Sequence, residues 1–331
     1  MNLPSNFTRR AFLVAGLAAA AWIAAALAFG WRGIVDALAR FGPGGFALVA
    51  GLSLVNYGLR YLRWEAFLRA VRIRVPRRTS FAVYFATYVM VITPGKLGEV
   101  FKAAILRDRC GTPLAKGLPV VLAERVYDFL AVLALAAVGL AAWDGPWHGL
   151  HIALAAGAGF AGLLLLVRQP ALRRRLVERA AASRHLQGRA VALDEALAAT
   201  STLLAPGPGL VHLVVSTLAW FCECAGLWLV CRTLAPQVAL TDAVFIYAAA
   251  TLAGSVSFLP GGLGGTEAVL ILLLGALQVA GPTAAAAAFI VRVATLWLAV
   301  LVGLAVFAAF RDEVVGPSAD DPTLPGAISS D

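Results

Sequence analysis

Charged residues are scarce in this chain. Only 14% of its 331 residues are Asp, Glu, Lys or Arg, and no polar stretch is long enough to fold as a separate catalytic domain. The longest polar interval runs from about Arg168 to Thr202 and reads as one amphipathic helix, so any chemistry is intramembrane. A phosphate-cradling G-x-x-x-x-G-K-[ST] loop is also missing, so ATP hydrolysis by this chain is not expected. The four cysteines do not suggest a disulfide framework. Cys222, Cys224 and Cys231 lie within one apolar segment and Cys110 adjoins a basic one, a pattern of buried free thiols. His148 and His151 are spaced i, i+3 beside a loop without a carboxylate ligand, so no metal site and no other cofactor is expected. No Ser/His constellation supplies a nucleophile either.

What the chain has in abundance is apolar sequence. It is 61% hydrophobic with a mean hydropathy of +0.84, well above the make-up of soluble domains. This predicts an all-α polytopic membrane protein. With about 20 apolar residues per crossing, the spans fall at about 11–29, 45–68, 117–141, 149–167, 209–231 and 284–310. The run from Ala11 to Phe29 exceeds the core of about 7–15 residues usual in signal peptides, so it reads as a retained span. Two interrupted segments, about 80–107 and 241–280, complete the membrane part, giving about six full spans and two re-entrant hairpins. One integral domain is expected over 1–311, followed by a disordered acidic tail at 312–331.

The 27 Lys and Arg outnumber the 18 Asp and Glu, and the excess sits in short segments between apolar runs. That distribution encodes topology and does not suggest nucleic-acid binding. Arg9-Arg10, the cluster from Arg69 to Arg78, and the seven arginines from Arg168 to Arg189 are placed in the cytoplasm, together with both termini. The loops around Trp31 and from Trp143 to His151 then face outward. The Arg168–Arg189 stretch is suited to the anionic lipids of the inner leaflet.

One motif occurs twice: Thr93-Pro94-Gly95-Lys96-Leu97-Gly98-Glu99, and Leu259-Pro260-Gly261-Gly262-Leu263-Gly264-Gly265-Thr266-Glu267. Proline removes a backbone donor and glycine admits unusual dihedrals, so each motif breaks a membrane-depth helix into halves. Backbone groups freed there must be satisfied by protein or by a water-filled cavity, and paired broken helices point to a transport site. The correspondence continues downstream. Glu99 is followed, after a Gly111-Thr112-Pro113 turn, by a helix bearing Arg125; Glu267 is followed, after Gly281-Pro282-Thr283, by one bearing Arg292. Two units of inverted topology are inferred, about 45–141 and 209–310, joined by a span and the arginine-rich helix over 149–203, with a site near the midplane where they meet.

Glu99 and Glu267 each open a second half-helix, where an acid complements the partial positive charge of the helix start and Thr266 offers a cap. Their expected partners are Arg125 and Arg292. Glu124, Arg125 and Asp128 are spaced for a charge network on one helix face. Arginine forks and half-helix N-termini together suit an anionic head group, with Lys96 as a further phosphate contact. The return helix with Lys102, Arg107, Asp108 and Arg109 alternatively holds lipid phosphates at the interface. Asn56, Arg60 and Arg63 share a face and read as snorkelling anchors. Glu223 is a lone acid in mid-span, either a proton-coupling carboxylate or a buried partner to the other unit.

The motif from Thr93 to Glu99 followed by Ala123-Glu124-Arg125-Val126-Tyr127-Asp128, and the motif from Leu259 to Gly264 followed by Glu267, resemble the lysylphosphatidylglycerol synthase transmembrane-region family, also called flippase-like. The resemblance covers about residues 10–310. It implies a bacterial or archaeal inner-membrane protein linked to moving lipids between leaflets. Two-domain relatives carry a soluble aminoacyl-transferase domain that does not follow here, so lipid synthesis is not expected. The first functional reading is therefore a translocase, not an enzyme, for a lipid with a phosphate head group, acting alone or as a homo-oligomer. The substrate-binding set would be Lys96, Glu99, Glu124, Arg125, Asp128, Glu267 and Arg292, the helix breaks Pro94, Gly95, Gly98, Pro260, Gly261, Gly262 and Gly264, and the coupling group Glu223. The alternatives are a non-transporting scaffold of a lipid or glycan assembly pathway and an intramembrane transferase.

Overall fold

The computed structural model describes residues 31–93, 98, 100–143, 169–183, 187–257 and 259–315, with isolated positions 16 and 20. The expected spans at 11–29 and 149–167 lie outside the described residues. Regular structure among the described residues is helical throughout.

The first helix, α1 (Trp31–Ala70), is interrupted at Gly42, whose φ of 72° leaves the helical region, and restarts at Pro43. Proline suits a first turn because its fixed φ is helical and its missing N–H is not needed there. After it come α2 (Arg77–Ala86), which tightens into a 3-10 turn over Thr87–Ile92, then α3 (Phe101–Cys110) and α4 (Leu114–Ala141). Gly111 ends α3 in the left-handed conformation, with its N–H bonded back to Arg107. A peripheral pair, α5 (Pro170–Ala182) and α6 (Ala190–Leu203), precedes the second unit. That unit comprises α7 (Pro206–Leu234), α8 (Leu240–Val256), α9 (Gly265–Ala276), and α10 (Gly281–Arg292), which runs through a π turn at Val293–Trp297 into α11 (Leu298–Ala309). The last described helix is α12 (Arg311–Val315).

Three stretches, Arg32–Ala70, Pro206–Leu234 and Gly281–Ala309, are long and apolar enough to cross a bilayer. Helix α4 has 28 residues, about 42 Å at 1.5 Å per residue, but carries Glu124, Arg125 and Asp128 around its middle. Helices α8 and α9, with 17 and 12 residues, reach only about 26 and 18 Å against a hydrocarbon core of about 30 Å. Each falls short of a full crossing, and they lie on either side of a break.

The two units oppose each other. Helix α1 packs antiparallel on α7: a Cβ on Gly226 would touch Val49, Asn56 bonds to the Ala219 carbonyl, and Phe67 stacks edge-on against His212. Antiparallel leading helices are what an inverted repeat requires. The cross-unit contacts come in matching pairs, with α4 against α8 and α11 against α2 and its 3-10 turn. Glycine closes both. A Cβ on Gly139 would lie 2.6 Å from the backbone nitrogen of Phe245, and one on Gly303 would lie 2.6 Å from that of Val89. The 3-10 turn ahead of the first break meets the second break, where Ile92, Leu296 and Val300 cluster with Leu263, and a Cβ on Gly261 would sit 3.3 Å from Ile92.

Two expectations are corrected. The arginine-rich interval is not one helix. Ser183 is extended and a 3-10 turn occupies Gln187–Arg189, so α6 folds back on α5. Arg173 on α5 then pairs with Asp194 on α6 at 2.7 Å, while α6 buries Ala199 and Leu203 against the core. The tail, expected to be disordered from Asp312, is helical through Val315. Val314 is buried, and Glu313 accepts a hydrogen bond from Thr79 at 2.6 Å. Residues 316–331 lie outside the described residues. All four cysteines are free, with Cys224 and Cys231 buried and Cys110 and Cys222 half-buried.

Candidate functional site

The second motif builds the clearest part of the site. Pro260–Gly262 forms a 3-10 turn, and Gly261, Gly262 and Gly264 take φ values of 62°, 67° and 83°, where a side chain would be strained. Gly264 then caps α9. The carboxylate of Glu267, in the first turn, accepts the Gly264 N–H at 2.7 Å through one oxygen and the Arg292 Nε–H at 2.7 Å through the other. Arg292 Nη2 also donates to the Gly261 carbonyl at 2.8 Å. Helix capping and arginine binding are thus performed by the same group, and the arginine ties α10 to both sides of the break. Thr266 is not the cap. It is buried where α8 passes closest, and a Cβ on Gly254 would fall 2.0 Å from its hydroxyl.

Of the first motif, Pro94, Gly95, Lys96 and Glu99 lie outside the described residues. Thr93 bridges the break: its hydroxyl donates to the Met90 carbonyl at 2.7 Å and accepts the Gly98 N–H at 2.9 Å. Only glycine fits at 98, because a Cβ would stand 2.2 Å from that of Met90.

The charges on α4 do not form a network confined to one helix. Asp128 draws in Arg60 at 2.7 Å and Arg63 at 2.9 Å from α1, besides Arg125 at 3.0 Å. Glu124 turns instead to Lys102 on α3, at 3.1 Å. Lys102 is therefore not an interfacial phosphate contact: it is buried, with its ammonium 4.3 Å from the Tyr84 ring centre and 5.3 Å from that of Trp64. Nor do Asn56, Arg60 and Arg63 snorkel. The Arg63 side chain is fully buried and bonds to Ser216, and Arg60 lies over Trp220. Periodicity held the missing signal. Ser53, Asn56, Arg60 and Arg63 form a polar stripe at i, i+3, i+7 and i+10, which continues past the reach of an interfacial anchor into the span.

A cavity of about 100 Å³ lies between the units, walled by Arg60, Arg125, Trp220, Glu223, Tyr247 and Arg292 among others. It adjoins a second space of about 240 Å³ that shares Arg125, Trp220 and Gly262 and turns apolar toward Phe129, Val132, Leu252 and Leu259. Both paired arginines expected from sequence reach the first cavity; Asp128 reaches the second, and Glu124 lines neither. Glu223 is buried and accepts a hydrogen bond from Tyr247 at 3.2 Å. Among the described residues, no three His, Cys, Asp or Glu side chains are grouped to hold a metal ion.

Comparison with known proteins adds to this geometry. A UPF0104 membrane protein of Methanothermobacter thermautotrophicus is 26% identical over 303 residues, covering 85% of this chain and 90% of that protein. The glycosyltransferase AglD of Haloferax volcanii is 27% identical over 153 residues, which is 44% of this chain and 24% of that protein. A family model described as the lysylphosphatidylglycerol synthase TM region matches residues 13–303, a range that includes both breaks and both Arg125 and Arg292. With the motifs, the opposed units and this match in agreement, the chain belongs to the lysylphosphatidylglycerol synthase transmembrane-region family.

Proposed function

We propose that this protein is a translocase that moves an anionic, phosphate-bearing lipid between the leaflets of the inner membrane. One observation carries the reading. The cavity at the junction of two opposed units takes an arginine from each, Arg125 from the first and Arg292 from the second. Guanidinium is planar and matches phosphate oxygens two at a time. Arg292 is oriented before any ligand arrives, since Glu267 and the Gly261 carbonyl fix its plane. The phosphate would lie between the two arginines while the acyl chains leave along the apolar side of the second space, past Phe129 and Leu252. Movement of one unit against the other would then expose the same site to either leaflet. By the positive-inside rule, the basic clusters support a cytoplasmic side for both termini. Arg174, whose side chain is 82% exposed on α5, would face anionic lipid there.

The match to a glycosyltransferase over 44% of this chain favours a second reading, a part in glycan assembly without lipid movement. Lipids co-purifying in mild detergent separate the two. The proposal expects an anionic lipid enriched with the wild type and lost from Arg292→Ala and Glu267→Gln proteins of equal monodispersity. Bulk lipid, unchanged by either substitution, would count against it.

A further inference from the structure

Three guanidinium groups share Asp128, and it does not hold them alike. Arg60 from α1 and Arg125 from α4 each give it one Nη2–H, at 2.7 and 3.0 Å, and both land on the same oxygen, Oδ2. Arg63 stands 2.9 Å from Oδ1 but out of line for a hydrogen bond, and that oxygen has no hydrogen-bond partner. Glu267, by contrast, has both oxygens taken, one by the Gly264 N–H and one by Arg292. An arginine–carboxylate pair is strongest when two N–H groups meet two oxygens, and neither Arg60 nor Arg125 reaches that arrangement on Asp128. Asp128 is therefore crowded with positive charge and weakly bonded.

The three arginines also differ in what can reach them. Arg60 and Arg125 line the cavity between the units, with side chains 13% and 27% exposed. Arg63 lines neither space, is fully buried, and is tied to the Ser216 hydroxyl and, at 3.5 Å, to the Glu124 carbonyl. A ligand entering the cavity can take Arg60 and Arg125 and leave Arg63 with Asp128. A buried carboxylate stripped of every cation is strongly unfavourable, and Arg63 keeps that from happening. Asp128 and its three arginines together carry two positive charges more than negative ones. Once Asp128 withdraws to Arg63, two guanidinium groups, one charge each, are open to the incoming group. Arg292 needs no release, since Glu267 and the Gly261 carbonyl already set its plane at the edge of the same cavity. A phosphate monoester brings about two negative charges near neutral pH and three terminal oxygens. A diester brings a single charge and two such oxygens.

We propose that Asp128 is an internal counter-ion that an incoming phosphate displaces from Arg60 and Arg125, and that the site so opened selects a phosphate monoester over a diester. The proposal rests on the phosphate-binding reading of the same cavity and adds to it the class of head group and the place of Asp128 as a competitor for the arginines. No covalent bond is made or broken. Asp128 shifts onto Arg63, and phosphate oxygens take over the hydrogen bonds it gives up.

The test is titration calorimetry on the purified full chain in neutral detergent at about pH 8, where the monoester is doubly charged. The probes are dihexanoyl phosphatidic acid, dihexanoyl phosphatidylglycerol and inorganic phosphate. Asp128→Asn should bind phosphatidic acid about tenfold tighter than the wild type or better, because the competing charge is gone while the side chain keeps its size. A residue that merely held the site together would weaken binding when replaced. Arg60→Gln should bind the same probe about tenfold more weakly, and the wild type should prefer it to phosphatidylglycerol by about tenfold. An Asp128→Asn protein that binds no tighter than the wild type overturns the exchange. Should that variant fail to fold, Arg60→Gln, which leaves Asp128 two arginines, decides, and affinity unchanged from the wild type overturns it. Equal affinity for the two lipids overturns the choice of a monoester. Inorganic phosphate bound as tightly as phosphatidic acid upholds the exchange and assigns it to a soluble phosphate, which sinks the translocase reading alone. Failure of leaflet transfer leaves the calorimetric result standing.

Discussion

Replacing Arg292 tests the geometry of the second break most sharply. Its guanidinium makes two bonds in different directions, Nε to Glu267 at 2.7 Å and Nη2 to Gly261 at 2.8 Å, with side chains 8% and 15% exposed for the ion pair. Lysine keeps the charge but cannot reach both acceptors, so Arg292→Lys forfeits one charge-assisted hydrogen bond, about 1.5–3 kcal/mol. Alanine leaves Glu267 with its cap to Gly264 but no cation in a largely buried place, which costs about 3 kcal/mol, the lower end of the range for broken buried pairs because Glu267 retains some exposure. At about 2 °C per kcal/mol in a chain of this size, Tm should fall by about 3–6 °C for lysine and about 6 °C or more for alanine. The assay is thermal unfolding in detergent followed by size-exclusion chromatography. A cycle with Glu267→Gln should show coupling of about 1–3 kcal/mol, the double variant being less damaged than the sum of the singles. Strict additivity, or an alanine variant as stable as the wild type, would refute the clamp.

Further outcomes follow from packing and charge. Gly139→Ala and Gly303→Ala should each destabilise by about 1–3 kcal/mol despite alanine's better helix propensity, because their Cβ atoms would meet backbone nitrogen at 2.6 Å; Gly58→Ala, with open space around it, should instead hold or gain up to about 1 kcal/mol in the same unfolding assay. Lys102→Met should cost about 3–5 kcal/mol by stranding Glu124, and adding Glu124→Leu should recover most of that loss; a double variant no better than the single would contradict the pairing. Replacing Arg173, Arg174, Arg175 and Arg179 by Gln should leave Tm within about 1 °C, as expected of exposed ion pairs, yet weaken capture of the protein by anionic over neutral nanodisc lipid in competition; unchanged lipid preference would remove α5 from the inner-leaflet contact.

Much of the architecture could be read from residues. Proline and glycine fix where helices break, so the ends of α4, α7, α8 and the Gly281–Ala309 helix fall within a few residues of the expected spans. The Glu267 to Arg292 pair was also legible, because a Gly-Pro turn between two half-crossings returns the chain to the same depth. What sequence did not disclose was direction around a helix. Arg60 and Arg63 lie near a basic helix end, where snorkelling and burial look alike; only the antiparallel seating of α7 turns them inward to Asp128. Lys102 was misread for the same reason, since its burial depends on Tyr84, Trp64 and Glu124 arriving from three other helices.

The most direct measurement of the central claim is leaflet transfer in proteoliposomes. A fluorescent phosphate-headed lipid is loaded in one leaflet, and its appearance in the other is followed by a membrane-impermeant quencher. The account predicts protein-dependent transfer that falls at least tenfold in Arg292→Lys and Arg125→Lys proteins reconstituted to equal density, with little transfer of a zwitterionic analogue. Transfer that is equal in wild type and both lysine variants, or no faster than in protein-free vesicles for every anionic lipid tried, would contradict it.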